Sequence, residues 1–334
     1  MIKFVLGRLA SMVVVLLVLA FVILALQRYT PADPVRAKLG ANAPKELVEA
    51  ERARLGYDQP LPSQYVNYVG DLVSGDLQES LRTRRPVAQD LGEFVPATLE
   101  LAAVSLGLAA LLGGLLGIAS AGRFRGAGAL RVVMVSGAAL PTFLVALLGL
   151  LLFYRRLGWL PSSGRISREY AVDGPTGFLL VDTLVAGNLP AFGNAVRHFV
   201  LPAVCIAIGP AVAIGRVLRG GIVSSLGSDY VRTARSKGLR ERSVLVRHTL
   251  RNSIGPALSM TGLQVGLMFA GVVVVESIFA WPGIGLYTVQ SIPRLDFPAI
   301  AGVTLVLGTV FVVVNTLVDI AQAVADPRVR ALES

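Results

Sequence analysis

Few side chains in this sequence have the types and spacing that catalysis, nucleotide binding or metal binding requires. The two histidines, His198 and His248, are separated by a long apolar run and a basic stretch. The sequence has no G-x-x-x-x-G-K-[ST] phosphate loop, no H-E-x-x-H and no G-x-S-x-G. We therefore expect no catalytic residue, no metal site and no cofactor in this chain, and we expect that it is not an enzyme.

The composition indicates a membrane protein. Of 334 residues, 54% are hydrophobic and 16% are charged, whereas soluble domains have about a quarter charged. The net charge of +10 would suggest a nucleic-acid partner in a soluble protein. Here the basic residues lie mostly beside apolar runs, where they set topology. We therefore expect a lipid bilayer, and no nucleic acid, as partner. Cys205, the single cysteine, allows no disulfide.

Six apolar stretches are long enough to cross a bilayer, since about 20 helical residues span its hydrocarbon core. The first stretch is longer than the apolar core of a signal peptide, and the residues at its end do not resemble a signal-peptide cleavage site. The glycines of the second (Gly107, Gly113, Gly114 and Gly117) predict close helix packing. The prediction is an all-α polytopic membrane protein with six transmembrane helices, at Leu9–Leu26, Ala97–Ala121, Val132–Tyr154, Phe199–Leu218, Ala257–Phe279 and Ala299–Ala321.

The distribution of arginine and lysine orients these helices. Arg123, Arg125 and Arg131 follow the second helix, and the stretch from Arg216 to Pro256 is strongly basic. Basic loops stay in the cytoplasm, so both termini are predicted to be cytoplasmic. The two histidines then lie on opposite sides of the membrane and cannot share a metal.

This topology divides the chain into consecutive segments. In the outer segment 28–95, Pro44–Leu55 predicts a short amphipathic helix, and Leu61–Leu77 predicts a second helix on the membrane surface. The outer stretch 155–197 is rich in Gly, Pro and Asp and is interpreted as a loop, although its excess of basic residues fits an outer location least well. The segments are the first helix 1–27, the outer segment 28–95, a core 96–325 with an outer loop 155–197 and a cytoplasmic loop 219–256, and a cytoplasmic tail 326–334.

Polar residues within the apolar stretches are few. Gln264 and Asn315 either face a pathway or make hydrogen bonds between helices, and Glu276 is a gate residue or a helix cap. A carrier driven by an ion gradient usually has ionisable groups in mid-span. The acidic residues here lie near span ends, which argues weakly against a proton-coupled carrier.

The cytoplasmic loop 219–256 carries the most informative pattern. Ser228 can begin a short helix whose apolar face is Tyr230, Val231 and Ala234, and Gly238 can end it. A second short helix would run toward Pro256. The residues alone leave two interpretations open: a helical plug for a groove on a cytoplasmic partner, or an ordinary basic loop that sets topology.

The stretch Tyr230–Gly238 resembles the conserved cytoplasmic loop of binding-protein-dependent ABC permeases. It is closest to the dipeptide/oligopeptide (and nickel) branch, in its B-type subunit. The opening glutamate of the wider family is absent, as is usual in this branch, and Ile254-Gly255-Pro256 departs from the family's Ile-x-Leu-Pro. Further matches, in order along the chain, are Pro31–Pro34, Gly56–Leu61, Gly75–Leu77, Pro96–Leu101, Pro141–Phe143, Leu201–Ala203, Glu276–Phe279, Pro282–Gly285, Arg294–Pro298 and Asp326–Arg330.

The resemblance implies a fold, a mechanism and partners. The fold would be that of a type I ABC importer permease in the bacterial cytoplasmic (inner) membrane. Residues 228–239 would be a coupling helix that docks into a nucleotide-binding subunit, through Asp229, Tyr230, Arg232, Thr233, Ala234, Lys237 and Gly238. The implied partners are a second homologous permease, one or two ABC ATPase subunits that bind the ATP and Mg, and an extracytoplasmic solute-binding protein.

The implied cargo is a di- or oligopeptide. The same machinery importing nickel, glutathione or haem is an alternative. Outside this class, a secondary carrier or channel, or a membrane enzyme or scaffold, remains open at this stage.

Overall fold

The computed structural model describes residues 2–29, 34–40, 42–54, 56–122 and 126–325. The predicted tail 326–334, the motif at 31–33 and two of the basic residues, Arg123 and Arg125, lie outside this part. Within it the chain is helical, and the one extended pairing is an isolated bridge between Glu79 and Pro86. The prediction of an all-α polytopic membrane protein is confirmed.

Five continuous helical runs are long and apolar enough to cross a membrane. They contain the predicted first, second and fourth spans completely, and the fifth and sixth spans except for one residue each. The second, third and fourth of these runs extend well beyond the apolar stretches. The runs are Leu6–Tyr29, Val87–Ala121, Leu189–Leu226, Glu241–Ile278 and Phe297–Ile320.

The third predicted span is not one continuous helix. Helix α6 (Ala127–Ala139) ends before Leu140, whose backbone is extended at ψ 122, and α7 (Thr142–Gly149) begins after Pro141. Proline lacks an N–H and disfavours helical geometry in the residue before it, which explains the break. A π-helical stretch, Leu150–Arg156, continues α7. The count of six crossings and the side of the termini stay predictions.

The chain forms two compact units; two of their three boundaries fall within long helices, and the third falls between α12 and α13. One comprises Met1–Ala97 and Pro282–Val313, and the other comprises Thr98–Trp281 and Val314–Ser334. The helices, in order, are α1 (Ile2–Tyr29), α2 (Pro34–Leu39), α3 (Lys45–Arg54), α4 (Leu61–Ser74), α5 (Val87–Ala121), α6 and α7 as above, α8 (Leu179–Val185), α9 (Leu189–Leu226), α10 (Asp229–Ser236), α11 (Glu241–Ser243), α12 (Arg251–Ile278), α13 (Ile284–Ser291) and α14 (Phe297–Ala325).

In the first unit, α4 packs along α1. The Tyr65 hydroxyl donates to the Leu17 carbonyl (3.0 Å), and its ring meets Phe21 edge-on. A second cluster buries Val87 and Tyr287. The Tyr287 hydroxyl donates to the buried carboxylate of Asp90 (2.9 Å), so the polar end of this aromatic side chain is satisfied inside the cluster.

In the second unit, α9 is the central helix, with 61% of its most apolar window buried. Two of the four glycines predicted to pack do so: a Cβ at Gly113 would lie 2.8 Å from the Ala211 carbonyl oxygen, and one at Gly117 would lie 3.0 Å from that of Gly215. Gly107 and Gly114 face open space. Only a residue without a side chain permits such backbone contact.

The two segments predicted to lie outside the membrane are more helical than the sequence suggested. Helices α3 and α4 occupy the two predicted positions. The stretch 155–197, interpreted as a loop, instead contains α8 and the first turns of α9. Asn188 caps α9 by accepting a hydrogen bond from the Ala191 N–H (3.1 Å), a strong start signal that was overlooked.

Candidate functional site

The short helix α10 forms where the cytoplasmic loop predicted it. Ser228 holds the N-cap position with ψ 157, but its hydroxyl donates to the Ser225 carbonyl (2.5 Å) instead of capping the helix. Gly238 has φ +75 and turns the chain after the helix, a conformation that suits glycine.

Helix α10 has one buried and one exposed face. Val231 (0% exposed) and Ala234 (6%) pack with Val244 and Leu226 in a small apolar cluster. Ala234, one of the residues predicted to dock, has its side chain against the protein, where it fastens the helix to the chain that follows; its role toward a partner stays a prediction.

The other residues predicted for docking lie on the surface. Asp229, Tyr230, Arg232, Thr233, Lys237 and Gly238 are all exposed. Arg232 and Asp229 approach to 3.4 Å, but both side chains are largely in solvent, where such a pair contributes little. Their charges are available to a partner.

A second ion pair links α10 to the next helix. Arg235 donates to both carboxylate oxygens of Glu241, at 2.8 and 3.1 Å. The hydrogen bond and the attraction of the opposite charge raise the pKa of Arg235 and lower that of Glu241. Both residues therefore stay charged at neutral pH.

The chain after α10 is one helical run from Glu241 to Ile278, and it passes through Pro256 instead of ending before it. Near its start, an open concavity of about 630 Å³ is lined by Arg240, Arg242, Arg247 and Arg251. Within the described residues, no acid pairs with these four arginines. The basic composition of the loop signalled this surface, but its concave shape was not predictable.

The three residues proposed for a pathway or gate lie in different surroundings. Gln264 is half-buried, with its Nε2 3.6 Å from the Met260 sulfur. Asn315 is half-buried on α14. Glu276 is fully buried in the last turn of α12 and accepts a hydrogen bond from the Thr98 hydroxyl (2.6 Å). Twelve residues separate Gln264 from Glu276, about 18 Å along a helix, so the structure does not bring these two together.

A buried ion pair that the sequence did not indicate lies near the start of the second unit. Arg165 donates to Glu100 at 2.6 Å. The Glu100 carboxylate also accepts the backbone N–H groups of Leu179 (3.0 Å) and Leu180 (2.7 Å), at the first turn of α8. One carboxylate thus fixes the path of the outer stretch between α7 and α9. No local pattern links residues 65 positions apart.

The described residues contain no group of three or more His, Cys, Asp or Glu side chains that could hold a metal. His198 is buried in α9, with its Nδ1 2.9 Å from the Asn194 carbonyl oxygen. The described residues form a helical scaffold, and an exposed, charged surface lies around α10.

Family models match the chain over nearly its whole length. Residues 111–331 match the binding-protein-dependent transport system inner membrane component. Residues 1–102 match the N-terminal part of the membrane component of such systems. The chain belongs to this family. It is an inner membrane component of a transport system, as the resemblance implied, and its location in the bacterial inner membrane is confirmed.

Curated members of the family are similar over most of the chain. The di/tripeptide transport system permease protein DppB of Pseudomonas aeruginosa is 39% identical, covering 99% of both chains. The probable D,D-dipeptide transport system permease protein DdpB of Escherichia coli is 41% identical, covering 90% of this chain and 89% of its own. The resemblance to the peptide branch is therefore confirmed.

Among solved structures, the crystal structure of an amino acid ABC transporter with histidines shares 13% identity at a TM-score of 0.48. The match covers 70% of this chain and 92% of the other.

Proposed function

We propose that this family member is the pore-forming permease subunit of an ATP-driven importer that translocates di- and oligopeptides. The observation that carries the peptide assignment is the similarity, over 99% of both chains, to a relative named for di/tripeptide transport. An extracytoplasmic solute-binding protein would deliver the peptide, and this chain would form the pathway together with a second homologous permease.

The proposed energy source lies outside this chain. One or two ABC ATPase subunits would bind the ATP and Mg and receive α10 in a surface groove. Two features support this role for α10: its exposed charged face, and the apolar contact of Val231 and Ala234 with Val244. Because Val244 belongs to the run that continues into α12, a movement of α10 would be passed to a membrane-spanning helix.

Reconstitution tests the proposal. The chain, its second permease and the ATPases encoded beside it would be co-expressed, purified and placed in liposomes with the cognate binding protein. We expect uptake of a labelled dipeptide that requires both ATP and the binding protein. The control is the same liposome with ADP.

Two results would contradict this function. Dipeptide uptake with ADP, driven by an ion gradient, would indicate a secondary carrier. Uptake of nickel, glutathione or haem with ATP, but no uptake of dipeptide, would support the assignment as an importer and contradict the assignment of peptides as its substrate.

A further inference from the structure

A small polar cavity lies within the first compact unit, outside every site described above. Its volume is about 90 Å³. One face of α4 lines it with Gln64, Tyr68 and Asp71, which are spaced by about one helical turn. The end of α1 contributes Gln27, and the start of α14 contributes Phe297. Three helices therefore converge on the cavity.

The charge of the cavity is opposite to that of the chain. The chain has a net charge of +10, yet Asp71 is the one charged side chain among the residues that line this cavity. In the described part of the chain, the Asp71 carboxylate has no ion pair and no hydrogen-bond donor. It stands exposed at the cavity mouth.

Two amides of the cavity donate elsewhere and keep their oxygens unbonded. The Gln27 amide donates one N–H to the Tyr57 hydroxyl (2.9 Å), and the Gln64 amide donates to the carbonyls of Tyr57 (3.0 Å) and Gln59 (2.8 Å). In the described part of the chain, no donor reaches either amide oxygen, so both can act as acceptors. Burial raises the pKa of Tyr68 to about 12, so its phenol stays neutral at physiological pH.

We propose that this cavity binds a primary ammonium group. Such a group has three N–H donors and no acceptor, which matches one carboxylate and two amide oxygens. A volume of about 90 Å³ corresponds to about three water molecules. It accommodates an ammonium and the carbon that carries it, whereas a trimethylated head group has no N–H to donate to these acceptors.

The position of the cavity favours a lipid as the source of this ammonium. The apolar run of α1 ends at Leu26, immediately before Gln27. On α4, Val66 and Val73 are 66% and 84% exposed, as expected of side chains that contact lipid. Where an apolar span ends, the head groups of the bilayer begin, so an ethanolamine group would be available to the cavity. The amino terminus of a transported peptide is also a primary ammonium group. This second source of the ammonium rests on the proposed function in peptide import.

Lipid binding to the full-length chain, purified in mild detergent, tests the proposal. Phosphatidylethanolamine and phosphatidylcholine with identical acyl chains would be titrated and counted by native mass spectrometry. We expect wild type to bind the ethanolamine lipid at least about tenfold more tightly, because one charge-assisted hydrogen bond accounts for about that factor. Asp71→Asn should remove the preference. The matched control is Asp58→Asn, an exposed acid on the same segment outside the cavity, which should keep it.

A second arm separates the two sources. If a free dipeptide, but not its N-acetylated form, displaces the ethanolamine lipid from wild type, the ammonium of the peptide is also a ligand. If neither form displaces it, the site is a lipid site and stands whether or not the chain transports peptides. Equal binding of the two lipids by wild type, or an unchanged preference in Asp71→Asn, would overturn the proposal.

Discussion

Glu100 joins two separate parts of the stretch 155–197 through one buried carboxylate. It is 6% exposed and accepts three hydrogen bonds, from Arg165 and from the backbone N–H groups of Leu179 and Leu180. A buried carboxylate is tolerated only where its charge and lone pairs are satisfied. Its partners are equally dependent on it, because no other acid reaches Arg165 in the described residues.

The two members of this pair should differ in how much each contributes to stability. Glu100→Ala leaves two backbone N–H groups without an acceptor and leaves Arg165 with only the Gly177 carbonyl (3.0 Å) as acceptor, and we expect a loss of about 4 kcal/mol. Arg165→Met leaves the carboxylate with its two backbone donors, and we expect a loss of about 2 kcal/mol. Thermal unfolding of the purified chain in detergent measures both. Arg168→Met, at a neighbouring exposed arginine, should unfold as wild type does, and equal losses at Glu100 and Arg165 would contradict this account.

At the residue scale, sequence reasoning worked where the cause is local. Gly238 was predicted to end a helix, and it has the left-handed conformation that this role requires. The partner of Glu100 was not predictable, because Arg165 lies 65 positions away. Ala234 shows a further limit: a small residue on a short helix suits a partner or the protein's own core equally well, and only the packing with Val244 decides.

At the element scale, α10 presents its charges away from its own core. Arg232 and Lys237 are exposed, and neither belongs to the apolar cluster that fastens the helix. Reversing their charges should therefore leave the chain folded and change only what α10 binds.

The double variant Arg232→Glu/Lys237→Glu should reduce co-purification of the ATPase subunits at least about tenfold, since charges at an interface guide and select the partner. Immunoblotting of the tagged complex measures this loss. Arg168→Glu, an exposed reversal on the outer stretch, is the matched control and should retain the ATPases. Full retention by the double variant would show that α10 does not dock through this face.

Helix interruptions were harder to predict than helices. Pro202 and Pro210 lie inside α9, and Pro256 lies inside the run that contains α12, without ending either helix. Pro141 separates α6 from α7. The residue type is the same, so the proline alone does not decide whether a helix ends. A single sequence contains the proline but not the packing around it.

At the scale of the whole molecule, the main topological question is on which side of the membrane each connecting segment lies. It arises because the third predicted span is interrupted between α6 and α7. If α6 and α7 together cross the membrane, the segment 28–95 and the stretch 155–197 share one side. If they do not cross, these two regions lie on opposite sides. The excess of basic residues in 155–197 is typical of a cytoplasmic loop, so the side on which this stretch lies has to be measured.

Single cysteines measure the sidedness directly. In a Cys205→Ala background, we expect an impermeant maleimide to label Ser74→Cys and Arg168→Cys from outside intact cells, and to label Arg232→Cys only after lysis. All three positions are exposed, so access to the thiol is not limited by burial. Labelling of Ser74→Cys but not Arg168→Cys in intact cells would reduce the number of crossings to five.

The overall class was predictable because hydropathy and charge follow from the bilayer itself. Five of the six predicted spans lie within, or within one residue of, continuous helices. The helical content of 155–197 was missed because α8 is only seven residues long and gives too short a window for periodicity. Its position depends on Glu100, which no window around α8 contains.

The unbroken run from Glu241 to Ile278 has a mechanical consequence. Its 38 residues make a lever of about 57 Å. One end carries α10 through Val244, and at the other end the Phe279 carbonyl accepts the Gly164 N–H (2.9 Å). A rotation of about 10° about its middle displaces each end by about 5 Å. The π-helical stretch Val244–Leu250 lies close to the α10 end, so a push at α10 enters the lever through its most irregularly wound part.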